Sequence, residues 1–307
     1  MKLVKSLFVI TFVLGFAFAQ DTPTIGLINI NFQALFFNQI NDGATKAAEE
    51  LGVDLQIVDG ANDPAKQVQA IETFITQQVS AIIVVAIDVE GIKPAVQAAK
   101  DAGIPVVAID AKVEVPPADS FIGVDNYGAG VQAGEWLVNY VNENMDGTAT
   151  VGIVGALNSF IQNQRRDGFV EALAAAPGIT VGETVDGQNV QEVALTAAEN
   201  LVTANPDMNI IYATGEPALI GVVAAVEAQG LQDRIQVIGW DLTKQSIDGM
   251  DAGYVKAVVQ QDPYQEGYAA VETLLKLTAG ETVEEEVLIP IAIVTPENLA
   301  DFRGLFE

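Results

Sequence analysis

The sequence of 307 residues predicts an α/β protein made of two Rossmann-like halves, each built on a parallel sheet. Two observations support this fold. Predicted strands and helices alternate along almost the whole chain, as repeated βαβ units require. The strands, for example "AIIVVAI" and "IPVVAID", are rich in Val, Ile and Ala with few polar positions, which is typical of strands buried on both faces. The length also suits about two domains.

The N-terminal residues predict a secretory signal peptide over 1–19. Lys2 and Lys5 form a short basic region, "LFVITFVLGFAFA" follows as an apolar stretch, and "AFA" ending at Ala19 is a cleavage site of the A-x-A type. The apolar stretch is shorter than the roughly 20 residues that a membrane span needs, although an uncleaved anchor stays an alternative. We expect cleavage near Ala19 and a mature protein in the periplasm.

The first half of the mature chain alternates regularly between strand and helix. Gly52 ends the first helix, and Asn62 or Asp63 caps the second, with Pro64 in its first turn. The predicted elements in order are "TIGLINI", a helix over 36–51, "VDLQIVD", the helix "NDPAKQVQAIETFITQQ", "AIIVVAI", a helix over 91–102 and "IPVVAID".

The second half repeats the pattern after "SFIGVDN". Its predicted elements are a helix over 127–144, "ATVGIVGA", a helix near 162–175, the weaker strand "ITVGETV", a helix ending near 204, "NIIYATG", a helix through 228 and "IQVIGWD". The final pieces are "GYVKAVVQQD", a helix over 264–278 and "EEVLIPIAIV". Two βαβ arrays in series therefore predict two doubly wound sheets.

Composition excludes several kinds of chemistry. The formal net charge of −27 repels nucleic acid and anionic lipid, which bind clusters of Lys and Arg. The chain contains neither His nor Cys, which rules out Ser-His-Asp and Cys-His catalysis, disulfides, and thiolate or imidazole metal sites. We expect no metal and no cofactor. A glycosidase that uses two carboxylates stays an alternative, although no spacing singles out a pair among the 41 acids.

Polar residues gather at the predicted carboxyl ends of the strands. They are Asp59, Asp110, Asp125, Gly215 and Asp241. Ligands of open α/β sheets bind in the crevice outside these strand ends. The set therefore predicts one cleft between two lobes whose strand ends face each other. The alternative for each Asp is that it caps the helix that follows.

An ordered series of segments over about 24–298 resembles the periplasmic sugar-binding proteins of ABC importers, most closely the ribose-binding type. The segments are "LFFNQINDGATKAAEELG", "IPVVAID", "FIGVDNYGAGVQAG", "RRDGFVEAL", "VIGWD" and "VVQQDP". Cytosolic sugar-responsive repressors share this core, but they carry an N-terminal helix-turn-helix where this chain has its predicted signal peptide.

The resemblance implies two lobes joined by a three-strand hinge, with the ligand in the cleft between them. The chain is expected to cross between lobes near 124–125, 261–262 and 289–291. The N-terminal lobe then comprises 20–124 plus 262–289, and the C-terminal lobe comprises 125–261 plus 290–307.

The resemblance also implies which residues hold the ligand. Phe36 and Phe37 match paired aromatics that stack on the faces of a sugar ring, while Asp110, Asp241 and Gln261 match polar residues that bond its hydroxyl rim. A sugar offers apolar C–H faces and a polar rim, so this combination of side chains suits it. The alternatives are that the rings fill the core and that the acids serve as caps.

The sequence departs from the ribose-binding pattern at several polar positions. Ala111 replaces one Arg, Asn163 stands at the position assigned to another, and Gly215 followed by Glu216 stands where an Asn is expected. We keep Asn163, Gly215 and Glu216 as candidate ligand residues. Arg165 is expected to tie its helix to its surroundings. With acids retained and few cations, the cleft suits a neutral ligand other than ribose.

The resulting function is that of a solute-binding protein without catalysis. It is expected to act as a monomer, to capture a neutral monosaccharide or polyol, and to deliver it to a membrane ABC permease. Two alternatives remain open. The protein could present a sugar or a signalling molecule to a chemoreceptor or sensor kinase, or it could be a secreted glycosidase.

Overall fold

A computed structural model describes residues 22–114 and 118–306, so the predicted signal peptide lies outside the described residues. The first elements in chain order are β1 (Thr24–Asn29), α1 (Leu35–Leu51), β2 (Asp54–Asp59), α2 (Pro64–Gln77), β3 (Ala81–Val84), α3 (Lys93–Asp101), β4 (Val106–Ile109) and β5 (Ser120–Gly123). Those that follow are α4 (Asn126–Asn144), β6 (Ala149–Gly155), α5 (Phe160–Leu173), β7 (Ile179–Asp186), α6 (Gln191–Ala204), β8 (Ile210–Ala213), α7 (Glu216–Ala228) and β9 (Gln236–Trp240).

The remaining elements complete both halves of the molecule. They are α8 (Lys244–Asp251), β10 (Val255–Gln260), α9 (Pro263–Thr278), β11 (Glu286–Leu288), β12 (Ala292–Val294) and short 3-10 helices over Leu299–Asp301 and Arg303–Leu305. Across the described residues, the strands form two six-stranded sheets. The predicted α/β fold with two sheets is confirmed.

The two sheets have the same strand arrangement. The order is β11-β5-β4-β3-β1-β2 in the first sheet and β12-β10-β9-β8-β6-β7 in the second. Neighbouring strands pair in parallel except β12, which runs antiparallel to β10. β4 and β9 therefore occupy the same place in their sheets. Equivalent loops follow these two strands.

Each sheet is covered by helices on both faces. In the first sheet, Leu27 and Ile83 face one core cluster while Ile28 and Ile82 face another, and all four side chains are fully buried. Alternate residues of one strand thus enter different cores, which explains the nearly unbroken apolar strands of the sequence. The second sheet has the same two-sided burial.

The last predicted strand segment is divided in the structure. "EEVLIPIAIV" contains β11, which joins the first sheet, and β12, which joins the second. Pro290 lies between them and has no N–H to donate to a ladder, so a continuous strand is interrupted there. Within the described residues, none of the helices combines the length and the apolar character that crossing a membrane requires.

Candidate functional site

Asp110 and Asp241 occupy equivalent positions in the two halves. Asp110 directly follows β4 and Asp241 directly follows β9. Their φ angles are 65° and 60°, in the left-handed region that few residues other than Gly adopt. The Asp110 amide donates to Ile122 O at 3.0 Å and the Asp241 amide to Val259 O at 2.8 Å. In each half, the Asp amide therefore makes the last hydrogen bond to a neighbouring strand, and the Asp itself has a strained backbone conformation. Such strained residues are common at functional sites.

The two carboxyl groups lie within electrostatic reach of the same guanidinium group, that of Arg165. Withdrawal from water raises the pKa of Asp110 to about 6, Arg165 acts to lower it, and Asp241 adds a further upward effect. Withdrawal from water also raises the pKa of Asp241, while Arg165 and the hydrogen bond from Gln261 act to lower it. The strand ends of the two sheets therefore bring two acids and one guanidinium group together.

Arg165 is the cation of this cluster, which the sequence analysis did not foresee. Its side chain is 5% exposed, its Nε donates to Asn126 Oδ1 at 2.8 Å, and its Nη1 donates to Thr214 O at 3.3 Å. Its guanidinium carbon lies 3.7 Å from the ring centroid of Trp240. The residue does tie its helix to its surroundings, as expected, but it also supplies the charge opposite two acids.

Helical spacing was the signal that could have identified Arg165. On α5 the buried residues include Gln162, Arg165 and Phe169, which lie three and four positions apart on one face. Arg166 falls off that face, and its guanidinium bonds Asp167 and Asn163 instead. Neighbouring arginines in "RRDGF" therefore have different environments.

Gln261 links Asp241 to the start of α9. The Gln261 side chain is 6% exposed, and its Nε2 donates to Asp241 Oδ1 at 2.8 Å. The preceding Gln260 accepts from the amide of Leu242 at 2.8 Å and thereby braces the loop after Asp241. This arrangement fixes one carboxylate oxygen of Asp241 and orients the other.

Phe36 and Phe37 lie in the first turn of α1 and contact each other. Their ring centroids are 5.4 Å apart with an interplanar angle of 89°. Both are half-buried and pack against the first sheet's core. The buried Asn29, at the end of β1, donates to Phe37 O and to Asn41 Oδ1, each at 2.8 Å. The rings therefore have a core-facing side and a solvent-facing side, and their predicted stacking on a ligand stays a prediction.

Asn163 uses its amide locally. Its Nδ2 donates to Leu157 O at 2.9 Å, and its Oδ1 accepts from Arg166 Nη1 at 2.9 Å. These contacts hold the loop between β6 and α5. The donor and the acceptor of the Asn163 side chain thus both have protein partners, and its predicted contact with a ligand stays a prediction.

Gly215 is the N-cap of α7, and Glu216 is the first residue of that helix. A Cβ on Gly215 would lie 2.7 Å from Gln162 Nε2, so a larger residue here would have to displace the Gln162 side chain. Burial raises the pKa of Glu216, and the Asp241 carboxylate raises it further. Glu216 therefore lies within electrostatic reach of Asp241.

Two of the strand-end acids serve the backbone instead. Asp59 Oδ1 accepts from the amide of Ala61 at 2.7 Å, and Asp125 Oδ1 accepts from the amide of Gly128 at 2.9 Å as the N-cap of α4. The capping alternative therefore holds for Asp125, whereas Asp59 stabilises a turn and Asp63 caps α2. Within residues 22–114 and 118–306, no group of three acidic side chains is arranged to hold a metal ion.

A separate surface depression of about 590 Å³ lies at the opposite edge of the first sheet. Its lining comes from the last turn of α3, from residues just before β3, β4 and β5, and from the end of α9. The residues are Ser80, Lys100, Gly103, Ile104, Pro105, Asp119, Leu277 and Thr278. Because ligands of α/β sheets bind at the carboxyl ends of strands, we assign the site to the Asp110–Asp241 cluster.

Sugar-binding proteins are similar to this chain over most of its length. The ribose import binding protein RbsB of Escherichia coli strain K12 is 27% identical over 282 residues, which cover 92% of this chain and 93% of that protein. The crystal structure of a sugar-binding protein of a sugar ABC transporter from Bacillus halodurans superposes with a TM-score of 0.84, at 27% identity, and covers 91% of this chain and 99% of that one.

A periplasmic solute-binding protein of an ABC transporter from Actinobacillus succinogenes 130z, solved with bound D-allose, superposes with a TM-score of 0.81. It is 27% identical, with coverage of 91% of this chain and 100% of that one. The family model described as a periplasmic binding protein domain matches residues 25–282. The family model covers most of the chain, and the chain therefore belongs to the periplasmic binding protein domain family.

Proposed function

We propose that this protein captures a neutral monosaccharide or polyol between its two halves and delivers it to a membrane ABC permease. The observation that carries the proposal is the pairing of Asp110 and Asp241, which follow equivalent strands of the two sheets in left-handed turns and lie within electrostatic reach of each other. Carboxylates in such a position accept hydrogen bonds from adjacent hydroxyl groups. The sugar-binding relatives with the same fold support this function.

The charge balance of the cluster favours a neutral ligand. Arg165 already interacts with Asp110 and Asp241, so the guanidinium charge is offset inside the protein. An anionic ligand would meet two carboxyl groups in a site withdrawn from water, where unpaired charge is costly. A hydroxyl-rich neutral molecule can bond both acids and the amide of Gln261 without adding charge.

We further propose that the ligand contacts are Phe36, Phe37, Asp110, Asn163, Gly215, Glu216, Asp241 and Gln261. In the proposed complex, the two phenylalanine rings cover a C–H face of the sugar while the acids and amides bond its rim. Arg165 joins this set, because its guanidinium group lies in the same cluster and carries donors for hydroxyl oxygens.

The proposed lobes are 20–124 plus 262–289 and 125–261 plus 290–307, with hinge crossings near 124–125, 261–262 and 289–291. Membership of β11 in the first sheet and β12 in the second supports the last crossing. Closure about these segments would bring the two acids onto the ligand. We also infer that the signal peptide is cleaved near Ala19, that the mature protein is a periplasmic monomer, and that it is not an enzyme.

A thermal-shift panel on the mature protein tests the proposed function. The panel contains D-ribose, D-allose, D-galactose, D-glucose and myo-inositol. A ligand present at about 100 times its Kd adds about 2.7 kcal/mol to the free energy of unfolding, which raises the Tm measurably. We expect at least one of these compounds to raise the Tm, and the absence of a shift with every compound would contradict the proposal.

Replacing Phe36 by alanine is expected to weaken binding of the best compound in this panel at least about tenfold, because a ligand-facing ring surface is lost. Calorimetric titration measures the affinity, and thermal unfolding without ligand measures the stability. Phe302→Ala is the matched control, since Phe302 is also half-buried but packs against the second sheet's core. It should lower the Tm and leave the affinity unchanged. Equal affinities of Phe36→Ala and the parent would show that Phe36 only fills the core.

A further inference from the structure

Glu266 is a buried acid that the proposed ligand set does not use. It lies in the first turns of α9, five residues after Gln261, and its side chain is 1% exposed. Its Oε2 atom is buried without a hydrogen-bond partner among the described residues. Buried polar atoms in native structures nearly always have a partner, so an unpartnered carboxyl oxygen beside a binding site points to a bound molecule.

The surroundings of Glu266 come from both halves of the protein. The charged groups that face it are Asp110 after β4, Asp241 after β9, Asp262 at the N-cap of α9, and Arg165 on α5. Burial and then the three aspartates raise the pKa of Glu266 well above its usual range, and only Arg165 opposes them. The carboxyl group therefore lies within electrostatic reach of Asp110 and Asp241, among more negative than positive groups.

We propose that Glu266 is a third carboxyl group of the binding site, which enters the complex as the neutral acid and donates one hydrogen bond to a ligand hydroxyl. The inference rests on the proposed function, because it requires a hydroxylated ligand between the two halves. A protonated carboxyl group offers one donor and one free acceptor, whereas Asp110 and Asp241 as carboxylates only accept. The three acids then complement hydroxyl groups, each of which both donates and accepts.

This role makes ligand affinity depend on pH in a defined direction. Loss of the Glu266 proton removes the donor and adds a negative charge beside Asp110 and Asp241, so affinity falls as pH rises through the pKa of Glu266. Deprotonation of Asp110 acts in the opposite sense, because it creates the carboxylate that accepts from the ligand. Affinity therefore rises as pH passes the Asp110 pKa of about 6. Measurements in steps upward from about pH 7.5, where Asp110 is already ionised, therefore separate Glu266 from Asp110.

The test uses the mature protein and the tightest binder among D-ribose, D-allose, D-galactose, D-glucose and myo-inositol. Calorimetric titrations at successive pH values above about 7.5 compare the parent with Glu266→Gln, which has a permanent donor and acceptor of similar shape. We expect the affinity of the parent to fall with rising pH and the affinity of Glu266→Gln to stay within about twofold of its starting value. Glu272→Gln, on the same helix, is the matched control and should follow the parent.

The outcomes distinguish this inference from the proposed function. Binding with the same pH dependence in the parent and Glu266→Gln overturns the role of Glu266 and leaves the sugar-binding function in place. Failure of every compound to bind the parent overturns both. If Glu266→Gln does not fold, the crystal structure of the parent complex decides. A Glu266 oxygen about 2.6–3.0 Å from a ligand hydroxyl supports the inference, and a larger separation overturns it.

Discussion

Replacing Arg165 by methionine is expected to lower the free energy of unfolding by about 1–3 kcal/mol, the usual cost of leaving a buried hydrogen-bonding group unsatisfied. Methionine keeps much of the side-chain volume but removes the guanidinium charge opposite Asp110 and Asp241. It also removes the hydrogen bonds to Asn126 Oδ1 and Thr214 O. Urea unfolding of the ligand-free mature protein measures the loss.

Arg166→Met is the matched control for this change. Arg166 follows directly in the chain, but its charge partner is Asp167, and the pair is partly exposed. Such ion pairs contribute about 0–1 kcal/mol, so the control should remain close to the parent in stability. Similar losses in both variants would contradict the assignment of Arg165 as the buried counter-charge.

A second measurement separates the charge of Arg165 from its packing on Trp240. Because Arg165 acts to lower the pKa of Asp110, its removal should raise that pKa further above about 6. Carboxyl NMR titration of Arg165→Met detects this shift. Arg165→Lys retains a positive charge but not the planar group, and it should restore the pKa more fully than it restores stability.

Much of the fold could be predicted because burial on both faces gives the strands an unmistakable composition. Among the elements that were not predicted, α8 has a local explanation. Thr243 accepts from the Ser246 amide and Ser246 Oγ accepts from the Thr243 amide, which is a capping box without the usual Glu or Gln at its fourth position. The sequence "TKQS" therefore lacks the familiar pattern of a helix start.

The strand-end rule could predict part of the site. The rest depends on how the helices pack in three dimensions. The strand-end rule identified Asp110 and Asp241, although nothing in the sequence indicates their left-handed backbone. Successive residues of a helix differ by about 100° in direction, so the choice between Arg165 and Arg166 needed the buried face of α5. Glu266 was one acid among 41, and only packing separates it from the exposed ones.

Replacing Asp241 by asparagine is expected to weaken ligand binding at least about tenfold, which corresponds to about 1.4 kcal/mol. Asparagine keeps the shape of the side chain and tolerates the left-handed φ of 60° at this position, so the loop after β9 should be preserved. What changes is the acceptor. A carboxylate accepts charge-assisted hydrogen bonds from hydroxyl groups, and a neutral amide oxygen forms weaker ones.

The hydrogen bond from Gln261 makes this substitution a specific test of the ligand contact. Gln261 Nε2 donates to Asp241 Oδ1, and an asparagine oxygen can accept the same bond, so the loss should fall on the second oxygen, where asparagine has an NH₂ group. That amide group would also point a donor toward a cluster containing Arg165. Asp125→Asn is the control, because asparagine caps α4 as well as aspartate does. Calorimetric titration should give parental affinity for Asp125→Asn, and an Asp241→Asn affinity within about twofold of the parent would exclude Asp241 as a major ligand contact.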